Sequence, residues 1–205
     1  MFGKEFQNKK VLILGLGLHG GGAGAASFFA RTGAKVIVTD LKTKRELNPT
    51  LKKLARFKNI TYVLGRHRKA DIVASDLIIK NPGVPDNSPW IKLARRGGVA
   101  VQSDIEIFFR YCPADIVGIT GTKGKSTAAY LLAEFLRKNW RRRKVFLAGN
   151  IRKSVLEIIP VTVATLALGL TTTTLSAVAE TRVTPTATPS AGVDITTATT
   201  TPVEI

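Results

Sequence analysis

Cysteine is nearly absent from this 205-residue chain: a single thiol, Cys112, excludes an internal disulfide and fits a reducing compartment. No neighbouring His or Cys would activate it, so Cys112 reads as an ordinary structural residue. Acidic side chains are scarce as well. Fourteen Asp and Glu stand against 31 Lys and Arg, and the resulting formal charge of +17 points to an anionic partner. Nucleic acid, nucleotides and phosphorylated sugars all qualify. Aromatic residues are not interleaved with the basic ones, which argues against a stacking platform for single strands. The densest basic run, Arg137-Lys138 to Arg141-Arg142-Arg143-Lys144, falls at a predicted helix end, where the helix dipole favours cations. No secretory leader is expected, because the apolar run Val11–Leu14 is short and leads straight into glycines. The uncharged stretch from Ile158 to Ala179 has the length of a membrane span. Pro160, Gly169 and the block Thr171–Thr174 interrupt it, and no membrane association is expected.

What is present is a hydrophobic content of 44%, enough for a buried core, arranged as short apolar runs alternating with helix-like segments. Strands are predicted at Val11–Leu14, Val36–Thr39, Ile60–Leu64, Leu77–Lys80, Val99–Val101, Ile116–Thr120 and Val145–Ala148. Helices are predicted at Ala23–Arg31, Thr50–Phe57, Ser88–Arg96, Asp104–Arg110 and Lys125–Lys138. Continuous apolar strands between helices imply an α/β fold with a parallel sheet covered on both faces.

Two glycine-rich turns carry the chemistry. In "LILGLGLHGGGAGAASFFA", Gly15, Gly17 and Gly20 form G-x-G-x-x-G between a strand and a helix, with Asp40 closing the second strand. Such a turn brings backbone amides against a diphosphate at a helix start, and Asp40 would accept hydrogen bonds from a ribose or base. A dinucleotide domain is the standard inference, while a turn that merely packs strand on helix is the bland one. His19, inside the turn, reads as a loop residue. The second turn, "IVGITGTKGKST" at 116–127, resembles a P-loop, but Gly118 lies one residue too far from Gly124 for G-x-x-x-x-G-K-[ST]. Its chemistry is nevertheless that of an ATP site. Gly121, Thr122, Lys123, Gly124, Lys125, Ser126 and Thr127 form the loop; amides of Thr122 to Lys125 cradle phosphates, Lys125 adds a point charge, and Ser126 can ligate Mg²⁺.

The displaced glycine resembles the ATP loop of the Mur ligase and folylpolyglutamate synthase superfamily, whose members are ATP-dependent amide-forming ligases. "VLILGLGLHG", "VIVTD", "NPGVP", "SDIEIFF", "IVGITGTKGKST" and "AGNI" follow the order and spacing of its D-glutamate-adding branch, from about Lys10 to Pro160. The resemblance implies a Rossmann-like parallel sheet that holds UDP rather than a dinucleotide, followed by the start of a P-loop domain. It places Gly15, Gly17, Leu18, His19 and Gly20 at the diphosphate, Asp40 and Leu41 at uracil, and Asn81, Pro82 and Gly83 beside the nucleoside. Asn150 falls near the muramoyl group, and Lys125 and Ser126 are the catalytic residues, with Ser126 on the metal. Arg152 departs from the more usual glycine of "GNIG", and His19 from a small hydroxyl residue. The implied substrates are UDP-N-acetylmuramoyl-L-alanine and D-glutamate, with ATP and Mg²⁺ as cofactors: ATP phosphorylates the L-alanyl carboxylate and the D-glutamate amine attacks the acyl phosphate. A cytoplasmic monomer that binds no nucleic acid is the accompanying expectation.

The implied domains are a UDP-binding unit at 1–112, expected to fold on its own, and a truncated central ATP-binding unit at 113–160. After Pro160 lysine disappears and roughly a third of the residues are threonine, so 161–205 is expected to be a poorly structured tail outside the family pattern. A frameshift or truncation after Pro160 would explain the change, and would leave the chain without ligase activity. An NAD(P)-dependent oxidoreductase and a basic nucleic-acid-binding module are the competing readings.

Overall fold

The computed structural model describes residues 4–18, 20–140, 144–148, 154–159 and, for the backbone alone, 194–198. The chain enters through a 3-10 turn, Lys4–Phe6, and strand β1, Lys10–Leu14. Helix α1 (Gly21–Arg31), β2 (Lys35–Asp40), α2 (Lys44–Leu54), β3 (Ile60–Leu64) and the short α3 (Lys69–Val73) follow. Next come β4 (Leu77–Lys80), α4 (Pro89–Arg96), β5 (Ala100–Ser103) and α5 (Asp104–Tyr111). Beyond them lie β6 (Ile116–Thr120), α6 (Lys125–Asn139), a 3-10 turn at Val155–Glu157, and β7 (Asp194–Ala198).

The first five strands form one parallel sheet in the order β3-β2-β1-β4-β5. Its central strand is buried on both faces, as strands covered by crossover helices must be. Val11 and Ile13 join the larger apolar cluster with Phe28, Phe29, Leu47 and Ile107, so α1, α2 and α5 cover that face. Leu12 and Leu14 meet Ile72, Ile91 and Ala94 of α3 and α4 on the other. Phe6 and Tyr111 extend the larger cluster at its rim. The Phe6 ring lies edge-on to Phe29 at 5.0 Å and to Tyr111 at 5.6 Å, which ties the chain start to the end of α5.

The starts of the longer helices, α3 aside, divide into two kinds. Thr43 before α2 and Ser103 before α5 form capping boxes with Glu46 and Glu106, and Ser88 caps α4 ahead of Pro89. The Thr43 box starts α2 at Lys44, earlier than the predicted Thr50. Helices α1 and α6 instead begin on left-handed glycines, Gly20 (φ 96°) and Gly124 (φ 76°), with no side chain on their first amides.

Two segments differ from expectation. Residues 144–148 form no strand, and the Val145 carbonyl accepts hydrogen bonds from the Arg137 guanidinium at 3.3 and 3.4 Å. Within the Thr-rich region expected to lack structure, Asp194–Ala198 pairs antiparallel with β6, Ile116 opposite Ala198 and Thr120 opposite Asp194. Ile195, Thr196 and Thr197 are β-branched, and β6 lies outside the five-stranded sheet with an edge open to pairing. The rest of the 161–205 stretch lies outside the described residues.

Candidate functional site

The order of strands places the first turn. Parallel crossovers run from β1 to β2 and β3 on one side, and to β4 and β5 on the other. The loops after β1 and β4 therefore part at a topological switch point, where a crevice opens beyond the strand ends. Gly15 (φ 89°) and Gly17 (φ 63°) follow β1 in the left-handed backbone that favours glycine. Across the crevice, the Asn81 amide donates to the Leu14 carbonyl at 3.0 Å, and the Asn81 side chain lies against Gly15 and Gly17. Asn81 Oδ1 in turn accepts from the Gly83 amide at 3.0 Å, which shapes the Asn81-Pro82-Gly83 loop. A small cleft opens here, lined by Gly15, Gly21, Gly22, Asn81, Pro82 and Asp104. Burial raises the Asp104 carboxyl above its ordinary pKa, against the hydrogen bonds of its own helix start.

Asp40 does more than terminate β2. It is 8% exposed, and both carboxylate oxygens accept from the chain's own amides. Leu16 and Gly17 donate to Oδ2 at 2.8 and 3.0 Å, and Lys42 donates to Oδ1 at 2.8 Å. The Thr50 hydroxyl of α2 donates to the Gly17 carbonyl at 3.1 Å, fixing the same turn from below. The turn is thus pre-organised, with the amides of Gly21, Gly22 and Ala23 preceding the first helical bond, Gly24 to Gly20 at 2.8 Å. Leu18 and Leu41 stand exposed at the mouth of the turn. His19, Asn150 and Arg152 lie outside the described residues.

Gly22, which the G-x-G-x-x-G spacing does not single out, is the glycine on which the backbone of the turn presses most closely. A Cβ there would stand 2.3 Å from the Leu16 carbonyl oxygen and 2.7 Å from that of Gly15. Only a hint was available in the sequence, the run Gly20-Gly21-Gly22.

His67 was not legible in the sequence at all. Thr39 Oγ1 donates to the Arg66 carbonyl at 3.0 Å, so it accepts from His67 Nδ1 at 2.7 Å and sets the tautomer. The ring stands edge-on to Trp90. Burial lowers the His67 pKa, with the Asp40 carboxylate opposing the shift. A histidine whose folded pKa is depressed contributes stability above its ordinary value, and that stability is lost as pH falls through the folded value. The melting temperature is therefore expected to fall as the pH drops from neutrality through and below the ordinary histidine range. The same scan on His67→Gln should show a shallower fall, and equal slopes in both proteins would contradict the account.

The second turn has strand β6 before it and α6 after it, as its motif requires. Gly121 (φ 146°) and Gly124 turn the chain, and the first helical bond runs from Ala128 to Gly124 at 2.9 Å. The amides of Lys125, Ser126 and Thr127 thus have no intrahelical partner, and Ser126 is exposed among them. The Lys125 ammonium folds back onto the Gly121 and Thr122 carbonyls, over the loop that phosphates would fill. An anion with a divalent counter-ion fits this donor set: amides and Lys125 for phosphate oxygens, the Ser126 hydroxyl for the metal. Among the described residues no three His, Cys, Asp or Glu side chains cluster as a metal site. Arg137 and Lys138 fall in the last turn of α6, the helix-end position expected for the basic run. No described helix is long and apolar enough to cross a membrane.

Residues 9–103 match the family described as Mur ligase MurD-like, N-terminal domain. The chain is 43% identical over 161 residues to the UDP-N-acetylmuramoylalanine--D-glutamate ligase of Roseiflexus sp. (strain RS-1), covering 78% of this chain and 34% of that protein. It is 42% identical over 153 residues to the enzyme of the same name from Borreliella afzelii (strain PKo), covering 74% and 33%. Among solved structures, a pseudomurein peptide ligase type C from Methanothermus fervidus aligns at 27% identity with a TM-score of 0.41, over 64% of this chain and 26% of that one. The chain spans about a third of the length of the curated relatives it matches. A parallel-sheet α/β unit with a glycine turn at its switch point, matched at this identity, makes the chain a member of the Mur ligase family with a MurD-like N-terminal domain.

Proposed function

We propose that this chain is the nucleotide-handling part of an ATP-dependent ligase that adds D-glutamate to UDP-N-acetylmuramoyl-L-alanine in the cytoplasm. The observation that supports it best is the pair of helix starts on left-handed glycines, α1 and α6, each following a strand and each with no side chain on its first amides. The turn at Gly15–Gly20 takes the diphosphate of the UDP-linked substrate. Asn81, Pro82 and Gly83 border its nucleoside, and Leu41 lies at the open side for the uracil ring. Asp40 acts on the nucleotide by holding the Leu16 and Gly17 amides in place. Helix α6 takes the ATP phosphates, where Lys125 leaves the loop carbonyls for phosphate oxygens and Ser126 holds Mg²⁺. The metal supplies charge neutralisation for phosphoryl transfer. The +17 charge serves anionic small molecules rather than nucleic acid, since the basic residues are spread along the chain.

Calorimetric titration of the purified chain tests the reading. UDP is expected to bind, NAD⁺ neither to bind nor to displace it, and ATP with Mg²⁺ to bind at a second site. Binding of NAD⁺ without a response to UDP would overturn the assignment in favour of a dinucleotide domain.

A further inference from the structure

The segment 154–159 follows α6 in the chain yet is buried in the core of the other unit. Ser154 is 4% exposed and Leu156 fully buried, and Val155, Leu156 and Ile159 share the apolar cluster of Phe28, Phe29, Ile107 and Phe108. The 3-10 turn at Val155–Glu157 packs on α1 and α5, and Ser154 Oγ caps it by accepting from the Leu156 amide at 3.3 Å. A boundary after residue 112 therefore leaves part of this core outside the unit.

Gly24 shows how the segment fits. It lies inside α1, where alanine would be the better helix former. A Cβ at position 24 would stand 2.1 Å from Ser154 Cβ and 2.6 Å from its Oγ, with Glu157 Oε1 at 3.2 Å. The three nearest atoms that a side chain at position 24 would meet thus all belong to the docked segment. Position 24 also reaches the diphosphate turn, because its amide makes the first helical bond of α1, to the Gly20 carbonyl.

We propose that residues 154–159 are a clasp that docks into the slot opened by Gly24, completes the core of the UDP-binding unit, and couples the chain beyond the ATP loop to the diphosphate turn. The clasp stands on the packing alone; its coupling to the ligand rests on the proposed function. A size-swap cycle on the full chain tests both parts, comparing wild type, Gly24→Ala, Ser154→Gly and the double variant by thermal unfolding and UDP calorimetry.

With the clasp docked, Gly24→Ala lowers the melting temperature by about 5 °C, and adding Ser154→Gly restores much of it, because both clashing atoms are gone. Without a clasp the sign inverts: Gly24→Ala raises the melting temperature through helix propensity, and the two changes simply add. That result overturns the proposal. In the ligand arm, Gly24→Ala weakens UDP binding about tenfold and the double variant recovers it. A full stability cycle with one UDP affinity in all four proteins would refute the coupling. Failure of wild type to bind UDP refutes the proposed function instead, and leaves the clasp to the thermal cycle. If Gly24→Ala does not fold, hydrogen exchange on wild type decides. Protection of 154–159 matching that of α1 supports the clasp, and exchange at the rate of unstructured chain removes it.

Discussion

Asp40→Ala is expected to abolish measurable UDP binding and to cost about 3 to 5 kcal/mol of stability, the larger part through three backbone amides. The Leu16, Gly17 and Lys42 amides each donate to this one carboxylate, at 2.8 to 3.0 Å. Leu16 is fully buried, so its amide finds no water when the carboxylate is removed. An unmet buried donor costs about 1 to 3 kcal/mol, and the three are not additive because all hold one turn. Asp40→Asn is no rescue. Its single oxygen can replace one carboxylate oxygen, and its NH₂ then faces an amide that also donates. Denaturant unfolding beside UDP calorimetry measures both effects. If Asp40→Ala loses less than about 1 kcal/mol, the carboxylate does not hold the turn.

Gly22→Ala is expected to cost at least about 3 kcal/mol, or to prevent folding, although alanine suits a helix better than glycine. The added methyl would press on the Leu16 and Gly15 carbonyl oxygens at 2.3 and 2.7 Å. Both are backbone atoms of the turn that Asp40 and Thr50 hold, so relief requires α1 to lift off β1. Gly65→Ala is the control for backbone strain alone. Gly65 has φ 78° with nothing within 4 Å of the added carbon, and about 1 to 2 kcal/mol is expected there. Denaturant midpoints of the two variants compare directly, and a Gly22→Ala protein as stable as Gly65→Ala would contradict the close approach.

Much of the fold was legible because its signals are local. Ile60–Leu64 and Leu77–Lys80 are strands with the predicted bounds, since short apolar runs between polar turns have few alternatives. The Val145–Ala148 run carried the same kind of signal and forms no strand. Apolar composition permits a strand, but only a partner edge makes one. Neither α3 nor the Val155–Glu157 turn was anticipated, because a single helical turn leaves no periodicity to detect.

By itself, the sequence determined that strand, glycine turn and helix occur twice, at Gly15–Gly20 and at Gly121–Lys125. Left-handed backbone and uncapped helix amides are properties of a few adjacent residues. Tertiary structure decided what surrounds those turns. The crossovers laid Asn81 over Gly15, turned the Asp40 carboxylate inward onto amides, and brought Ser154 against Gly24. Each of these joins residues far apart in the chain, and a sequence records such contacts only as a small residue or a stray polar one. Gly22 and Gly24 acquire their meaning from the atoms that press on them.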